Sequence, residues 1–576
     1  MTMNGVLGHN VFVLKNSNRK LMFVTLLLPQ LVGLSCSRFD DKESCIEDED
    51  YFHPNEILQV ELNLNTSDWN DLRHQSRSLM GEFLGQDCRD GPFSKNYTYF
   101  SADVTINGSE LSNIGVRKKG FIGSQSTEKP SLKLNLDEYI EGAELFCTDN
   151  ITLNNAVQDP SLIRQCLGYD LFAQAGLATP RCNFAQVKVN GEHLGIYAHV
   201  EPIKRSFLRD HFGNDHGDLY EGTISDFHEL KYKTFESKNT DTDETLAPII
   251  QLMEAIDNSS DLKETLSQHI DVDQFLTFWA MEVITGHWDG FAGNTNNFYL
   301  YRDPQSQKFS FIPWGLDDVL DPALIEDNYQ GFSASKLTVA VLEDPELSEQ
   351  FESKLSMLLE TVWDEDHIHS EIDRIKTLLS SQMNTSVLED SIEGIRYYVD
   401  NRRAHIEDLM PFISQEIEAP FCLVKTGSIE AEFETSWGTL NEPDLTQEGE
   451  VDLDLTWGGY PVLPQASGAG IGPEEFDDNY SVLVLASLLD SSNGSYIFPY
   501  VVYPANLGHE GASIDLDGIR TEGAMLYTDA SLGYEPVQAG LLYGGTLNFD
   551  SYDNTSGGTV SGQLSTGLYY WEEVTE

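Results

Sequence analysis

Positive charge is what this chain has least of. Its 576 residues carry 35 Lys and Arg against 94 Asp and Glu, a formal net charge of -59. After Lys425 the sole Lys or Arg is Arg520. A surface of that sign repels nucleic acid and anionic lipid through its own field, so neither is expected as a partner. It suits a basic substrate or a divalent cation. Long apolar runs are also missing: no stretch approaches the roughly 18 consecutive apolar residues of a spanning helix. The seven cysteines show no zinc-site spacing, and no Gly-x-Gly-x-x-Gly phosphate loop is present.

The amino-terminal end has a basic region (Lys15, Arg19, Lys20), a short apolar core from Leu21 to Leu28, and small residues up to Ser35 and Cys36. That order reads as an export signal over residues 1–35, too short to span a membrane. Leu31 to Cys36 has the look of a bacterial lipoprotein cleavage box, which makes Cys36 the expected lipidation site and a lipid anchor the expected membrane contact. The other cysteines are Cys45, Cys88, Cys147, Cys166, Cys182 and Cys422. An even number in an exported chain implies disulfides, with the pairing open.

The densest chemistry runs from Phe275 to Asp321. Apolar residues at helical spacing from Phe275 to Ile284 follow a cap at Asp271 or Asp273 and stop at Gly286. A loop carries His287-Trp288-Asp289, then Asn294, Asn296 and Asn297. Two alternating runs, Phe298 to Tyr301 and Lys308 to Ile312, make a hairpin that ends at Pro313-Trp314-Gly315-Leu316-Asp317-Asp318. Helix, His-x-Asp-x4-Asn loop, hairpin and Asp is the order of parts in a protein-kinase active site. Asp289 is placed to take the proton of an attacking hydroxyl. Asn294 or Asn297, with Asp317, can hold magnesium or manganese against ATP phosphates.

On these residues the chain resembles the spore-coat (CotH) kinase family. The likeness extends upstream through Gly115 to Gly120, Lys129 to Leu136, Asn154-Asn155, Asp159 to Arg164, and Val189 to Tyr197 leading to Glu201. It implies an α+β fold, an atypical two-lobed protein-kinase-like domain over about 51–415. The implied function is transfer of the ATP γ-phosphate to a protein hydroxyl, the acceptor being basic or serine-rich. The resemblance makes Asp289 the catalytic aspartate and Asp317 the metal ligand. Lys133 is the best match to the phosphate-binding lysine and Lys129 the second; Arg117, Lys118 and Lys119 are within reach of phosphate, and Glu201 is placed near the lobe junction. Many members have Asp where this chain has Gly315, although Asp318 is adjacent. That departure allows one alternative, a non-catalytic surface or assembly protein that keeps the fold; another ATP-dependent transferase on the same fold, whose active-site residues would look alike, is the second.

Beyond Pro420-Phe421-Cys422 the texture changes to short alternating segments separated by Gly, Asn and Asp. Ile429 to Phe433, Val451 to Trp457, Tyr480 to Leu485, Tyr496 to Tyr503, Thr546 to Phe549 and Val560 to Trp571 predict an all-β, sandwich-like domain over 428–576. No catalytic constellation stands out within it. Asp515-Leu516-Asp517-Gly518 reads as a β-turn.

Overall fold

The structure, a computed structural model, describes residues 51–574 apart from 95–96, 122, 146–147, 240–245, 413, 416, 418, 475–476 and 478. The expected signal segment, Cys36, Cys45 and Cys147 lie outside the described residues.

Alternating apolar residues curl the first sheet into a closed barrel. Its strands are β1 (Ile57–Leu64), β2 (Phe100–Ile106), β3 (Ser109–Lys119), β4 (Ser131–Asn135), β5 (Asn150–Asn154), β6 (Cys182–Val189) and β7 (Glu192–Val200), in the order β1-β2-β3-β4-β5-β7-β6. The parallel pairing of β1 with β6 closes it. Leu58, Val60 and Leu62 on β1, Ile114 and Val116 on β3, and Leu132 and Leu134 on β4 fill the interior. Strand alternation then turns their neighbours outward. Arg117 pairs with Lys133 and Lys133 with Thr152, so these three side chains share one outer face. Lys118 has the opposite parity: it is buried, and its ammonium donates to the Arg73 carbonyl at 2.8 Å.

A second, larger core holds the helical part. The helix Val272–Thr285 is capped by Asp271, whose side chain accepts from the Gln274 N–H, and ends at Gly286. Every residue from Phe275 to Thr285 is buried, which is why its sequence shows little polar face. A four-stranded sheet packs against it, ordered β11-β10-β8-β9, with β8 at Asp218–Gly222, β9 at Glu236–Ser237, β10 at Phe298–Arg302 and β11 at Phe309–Pro313. The expected hairpin is thus β10–β11. A helix runs from Arg164 to Gln174. Asp159 organises the turn ahead of it, accepting from the Ser161 N–H and, through its other oxygen, from the Arg164 N–H. Leu162 takes the left-handed conformation there, with φ 63°.

The carboxy-terminal region is all-β, as expected. Its strands are β12 (Phe421–Ser436), β13 (Glu450–Trp457), β14 (Tyr460–Val462), β15 (Ala466–Pro473), β16 (Tyr480–Asp490), β17 (Ser495–Pro504), β18 (Ser513–Asp515), β19 (Glu522–Thr528), β20 (Val537–Tyr552) and β21 (Thr559–Glu573). They form a single antiparallel sheet rather than two facing ones, ordered β14-β13-β12-β21-β20-β19-β17-β16-β15, with β18 beside β20. The sheet curls until β15 returns to the end of β12: Thr435 Oγ1 donates to the Ala469 carbonyl at 2.6 Å and the Gly438 N–H to the Ile471 carbonyl at 2.8 Å. One sheet therefore supplies both walls around Ile429, Leu483, Ile497 and Leu564. Strand β12 begins at Phe421, ahead of the expected domain start at Ser428.

Two disulfides join described residues, Cys166–Cys182 and Cys88–Cys422. Such bonds persist in oxidising compartments. Among the described residues no helix is long and apolar enough to cross a membrane.

Candidate active site

A cavity of about 410 Å³ lies between the barrel and the helical part. The outer barrel face contributes Arg117, Lys119, Thr152 and Asn154; the loop after the buried helix contributes Trp288, Asp289, Asn294, Asn296 and Asn297; the turn after β11 contributes Gly315, Asp317 and Asp318. Residues far apart in the chain thus face one space.

Asp289 is held by three amides. Asn294 Nδ2 donates to Oδ1 at 2.6 Å, Asn297 Nδ2 to Oδ2 at 2.6 Å, and Asn296 Nδ2 to both oxygens at 3.2 Å. Burial pushes the Asp289 carboxyl above its ordinary range; the Asn294 and Asn296 bonds pull it back, and the nearby Asp317 charge pushes it up again. The loop itself is anchored from below by Glu282, a fully buried residue that sequence reasoning passed over. Its two oxygens accept from the Phe291 and Ala292 N–H groups, each at 2.8 Å. Burial raises its carboxyl to about 8 although both bonds oppose this. A Cβ on Gly290 would stand 2.3 Å from Glu282 Oε1, so this carboxylate fits only beneath a glycine. An acid inside an otherwise apolar helical pattern was the one available signal. His287 is also buried and bonds through Nε2 to the Trp314 carbonyl at 3.1 Å; burial lowers it to about 4, so the ring is a neutral spacer.

Asp317 accepts from Asn154 Nδ2 at 3.3 Å, a bond across the cavity from strand β5. Asn154 is fixed in turn by Gln165 Oε1 at 3.0 Å. Asp318 is bound elsewhere, accepting from Trp288 Nε1 at 3.0 Å and pairing with Arg164 at 3.4 Å. Gly315 has φ 59°, and a Cβ there would come within 2.4 Å of Asn297 Oδ1. The carboxylate missing at this position is therefore excluded by the backbone and by Asn297. We expect Gly315→Asp to displace Asn297 and lower thermal stability by about 1–3 kcal/mol. Differential scanning fluorimetry checks this, and a variant as stable as the parent would show that the turn adapts.

The lysine candidates separate clearly. Lys119 lines the cavity, where burial lowers its ammonium while Asp317 and Glu221 pull upward. Lys133 sits in register between Arg117 and Thr152, both of which line the cavity. Burial lowers it to about 7, with Lys204, Arg117 and Lys238 adding to the effect and Glu221 opposing. Lys129 is turned away, its ammonium 5.0 Å from the centre of the Tyr197 ring. Glu201 is outside the cavity lining, and its carboxylate accepts from Arg181 Nη2 at 2.7 Å and from its Nε and backbone N–H, each at 3.1 Å. Glu221, which accepts from Lys238 Nζ at 2.5 Å and lines the cavity, escaped sequence reasoning because nothing local marks it.

Comparison with known proteins identifies the family. The family described as CotH kinase protein matches residues 116–416, more than half of the chain. The Inner spore coat protein H of Bacillus subtilis is 26% identical over 285 residues, which is 45% of this chain and 77% of that one. The Spore coat protein homolog 1 of Rhizopus delemar is 24% identical over 220 residues, 35% of this chain and 34% of that protein. The chain thus spans about a third of that fungal relative. The crystal structure of a Helicobacter pylori proinflammatory kinase, CtkA, aligns with 51% of this chain and 93% of its own at 14% identity, with a TM-score of 0.27.

Proposed function

We propose that this chain, which belongs to the CotH kinase family, is an exported atypical kinase that transfers the γ-phosphate of ATP to a hydroxyl of a protein substrate. The observation that carries this reading is that Asp289 and Asp317 share one cavity with Arg117 and Lys119. The family name implies ATP; the rest is assigned from chemistry.

In this reading the acceptor oxygen bonds to the γ-phosphorus as the bond from that phosphorus to the β–γ bridging oxygen breaks. The hydroxyl proton passes to an Asp289 carboxylate oxygen. Amides on both oxygens fix the rotamer of Asp289, so the base is oriented before the acceptor arrives. Lys119, Lys133 and Arg117 meet the phosphates from the barrel side. The donor set fits a divalent cation of the magnesium type: Asn297 gives its amide N–H to Asp289 and turns its oxygen toward Gly315, on the Asp317 side. Asp317 and that amide oxygen would hold the ion, magnesium or manganese, which is commonly completed by substrate phosphates and water and would neutralise phosphate charge there. Among the described residues no group of three or more His, Cys, Asp or Glu is placed to hold a metal ion.

The acidic surface favours a basic acceptor, and the two disulfides support an oxidising compartment. Lipidation at Cys36 remains part of the proposal.

The phosphate-side assignment has a direct test. Lys133→Met and Lys119→Met should each weaken ATP binding by about tenfold or more, roughly 1.4 kcal/mol per tenfold, whereas Lys129→Met should bind as the parent does. Because Lys133 sits near 7 without nucleotide, phosphate binding raises it and draws in a proton when the pH is above that value. Calorimetry in buffers of different ionisation enthalpy reads that uptake, and Lys133→Met should abolish it. Loss of binding in Lys129→Met alone would mean the wrong lysine has been assigned.

A further inference from the structure

The carboxy-terminal sheet is stitched to one short segment of the first lobe. The Leu423 N–H donates to the Phe83 carbonyl at 2.6 Å and the Gly85 N–H to the Leu423 carbonyl at 3.0 Å, so residues 83–85 add a rung beside β12. Cys88 is bonded to Cys422. The Trp571 ring of β21 stands edge-on to Phe83 at 5.6 Å.

The same segment reaches the cavity a few residues later. Pro92, Phe93 and Ser94 line it, as do Arg77 and Phe121. Phe93 packs on Phe83 at 5.6 Å and on Phe121 at 6.0 Å. Arg89 lies over the Phe83 and Phe93 rings, at 4.4 and 5.5 Å from their centres. It is 7% exposed, and its Nε and Nη1 have no hydrogen-bond partner, so the two rings largely hold it in place. Glu82 ties the two sides together, accepting from Arg77 Nε at 3.3 Å and from the Ser94 N–H and hydroxyl at 3.0 and 2.6 Å. Arg77 stacks over Phe121 at 4.1 Å, and its backbone exchanges two hydrogen bonds with the Gln125 side chain, each 2.7 Å. In the turn from Gly120 to Gln125, Gly120, Phe121 and Ser124 also line the cavity.

We propose that the carboxy-terminal sheet is a positioning element for the nucleotide site: it holds segment 83–94 as a strap, and the strap sets the place of the Phe121 turn over the phosphates. This rests on the kinase reading above. The sheet contributes no group to the chemistry and acts through Trp571, Leu423 and Cys422. A chain cut at Gly427 would split β12 and take Trp571 from the strap, while Leu423 and Cys422 stay on the part that remains.

The test uses the full-length protein with two independent lesions, Trp571→Ala and the pair Cys88→Ala/Cys422→Ala, which leaves Cys166–Cys182 intact. Amide hydrogen exchange should rise in residues 83–94 and in 119–125, while the helix Val272–Thr285 keeps its protection. KM for ATP should increase by about tenfold, or 1.4 kcal/mol, with kcat at saturating ATP changed by less than about threefold. Asp289→Ala should do the reverse, lowering transfer by at least about 100-fold without loosening the turn. Faster exchange confined to 83–88, with the turn and the ATP affinity as in the parent, would overturn the proposal. If the parent transfers nothing, the kinase reading fails, and the exchange data still decide whether the sheet holds the turn.

Discussion

Replacing Asp289 with alanine should lower phosphoryl transfer by about 10²–10⁴-fold, the usual share of a general base, while ATP binds nearly as before. In the proposed reading its carboxylate takes the acceptor's proton and does not hold the phosphates, and its three amide partners are on its own loop. The variant frees those amides but leaves Glu282 holding the loop, so the fold survives. The pH profile carries a second signature. Burial raises the Asp289 carboxyl, and the base works only when deprotonated. Activity should therefore fall as the pH drops through a value above the ordinary aspartate range of about 4. Removing one supporting amide, Asn296→Ala, should move that acid limb to still higher pH, because a bond to the charged form is lost. Steady-state kcat/KM against pH reads both effects.

Asp317 should fail differently. Asp317→Ala is expected to reduce transfer by at least about 100-fold and to weaken ATP binding only when magnesium or manganese is present, since a metal ligand stabilises bound and reacting phosphate alike. The substitution also removes the Asn154 bond that crosses the cavity, so part of any loss could come from the lobes. Asp317→Asn separates the two: it keeps an acceptor for Asn154 but removes the charge. Metal-dependent binding should be lost in both variants, whereas thermal stability should drop only in the alanine form. ATP titrations with and without the metal, beside melting curves, distinguish these outcomes.

The parts of the site that the chain brings together locally were legible in the sequence. Asp289, the three Asn residues and Asp317 are separated only by a hairpin, whose alternation fixes where the strands start and stop. Once β3 is placed, its alternation puts Arg117 and Lys119 on one face and Lys118 on the other. Pairing across strands was not legible: the register that sets Lys133 beside Arg117 comes from β3–β4, and nothing nearby in the chain reports that Lys129 turns to Tyr197. Glu201 looked available because its partner Arg181 is on the preceding strand's approach, a contact visible only once β6 and β7 pair. At Gly315 the sequence showed a missing acid; the structure supplies the cause in a left-handed backbone facing Asn297. The carboxy-terminal strands were recognisable one by one, but a single sheet that curls onto itself depends on the return of β15 to β12. The Cys88–Cys422 link, 334 residues apart in sequence, could not be chosen from the cysteine positions.

The central claim is phosphoryl transfer that depends on Asp289. The most direct measurement is the intact mass of a basic, serine-rich acceptor protein after incubation with the full chain, ATP and magnesium or manganese, run beside the Asp289→Ala variant. The account predicts acceptor carrying phosphoryl groups with the parent and at least about 100-fold less with the variant. A nucleotidyl adduct, an unmodified acceptor while bound ATP stays intact, or equal phosphorylation by both proteins would contradict it.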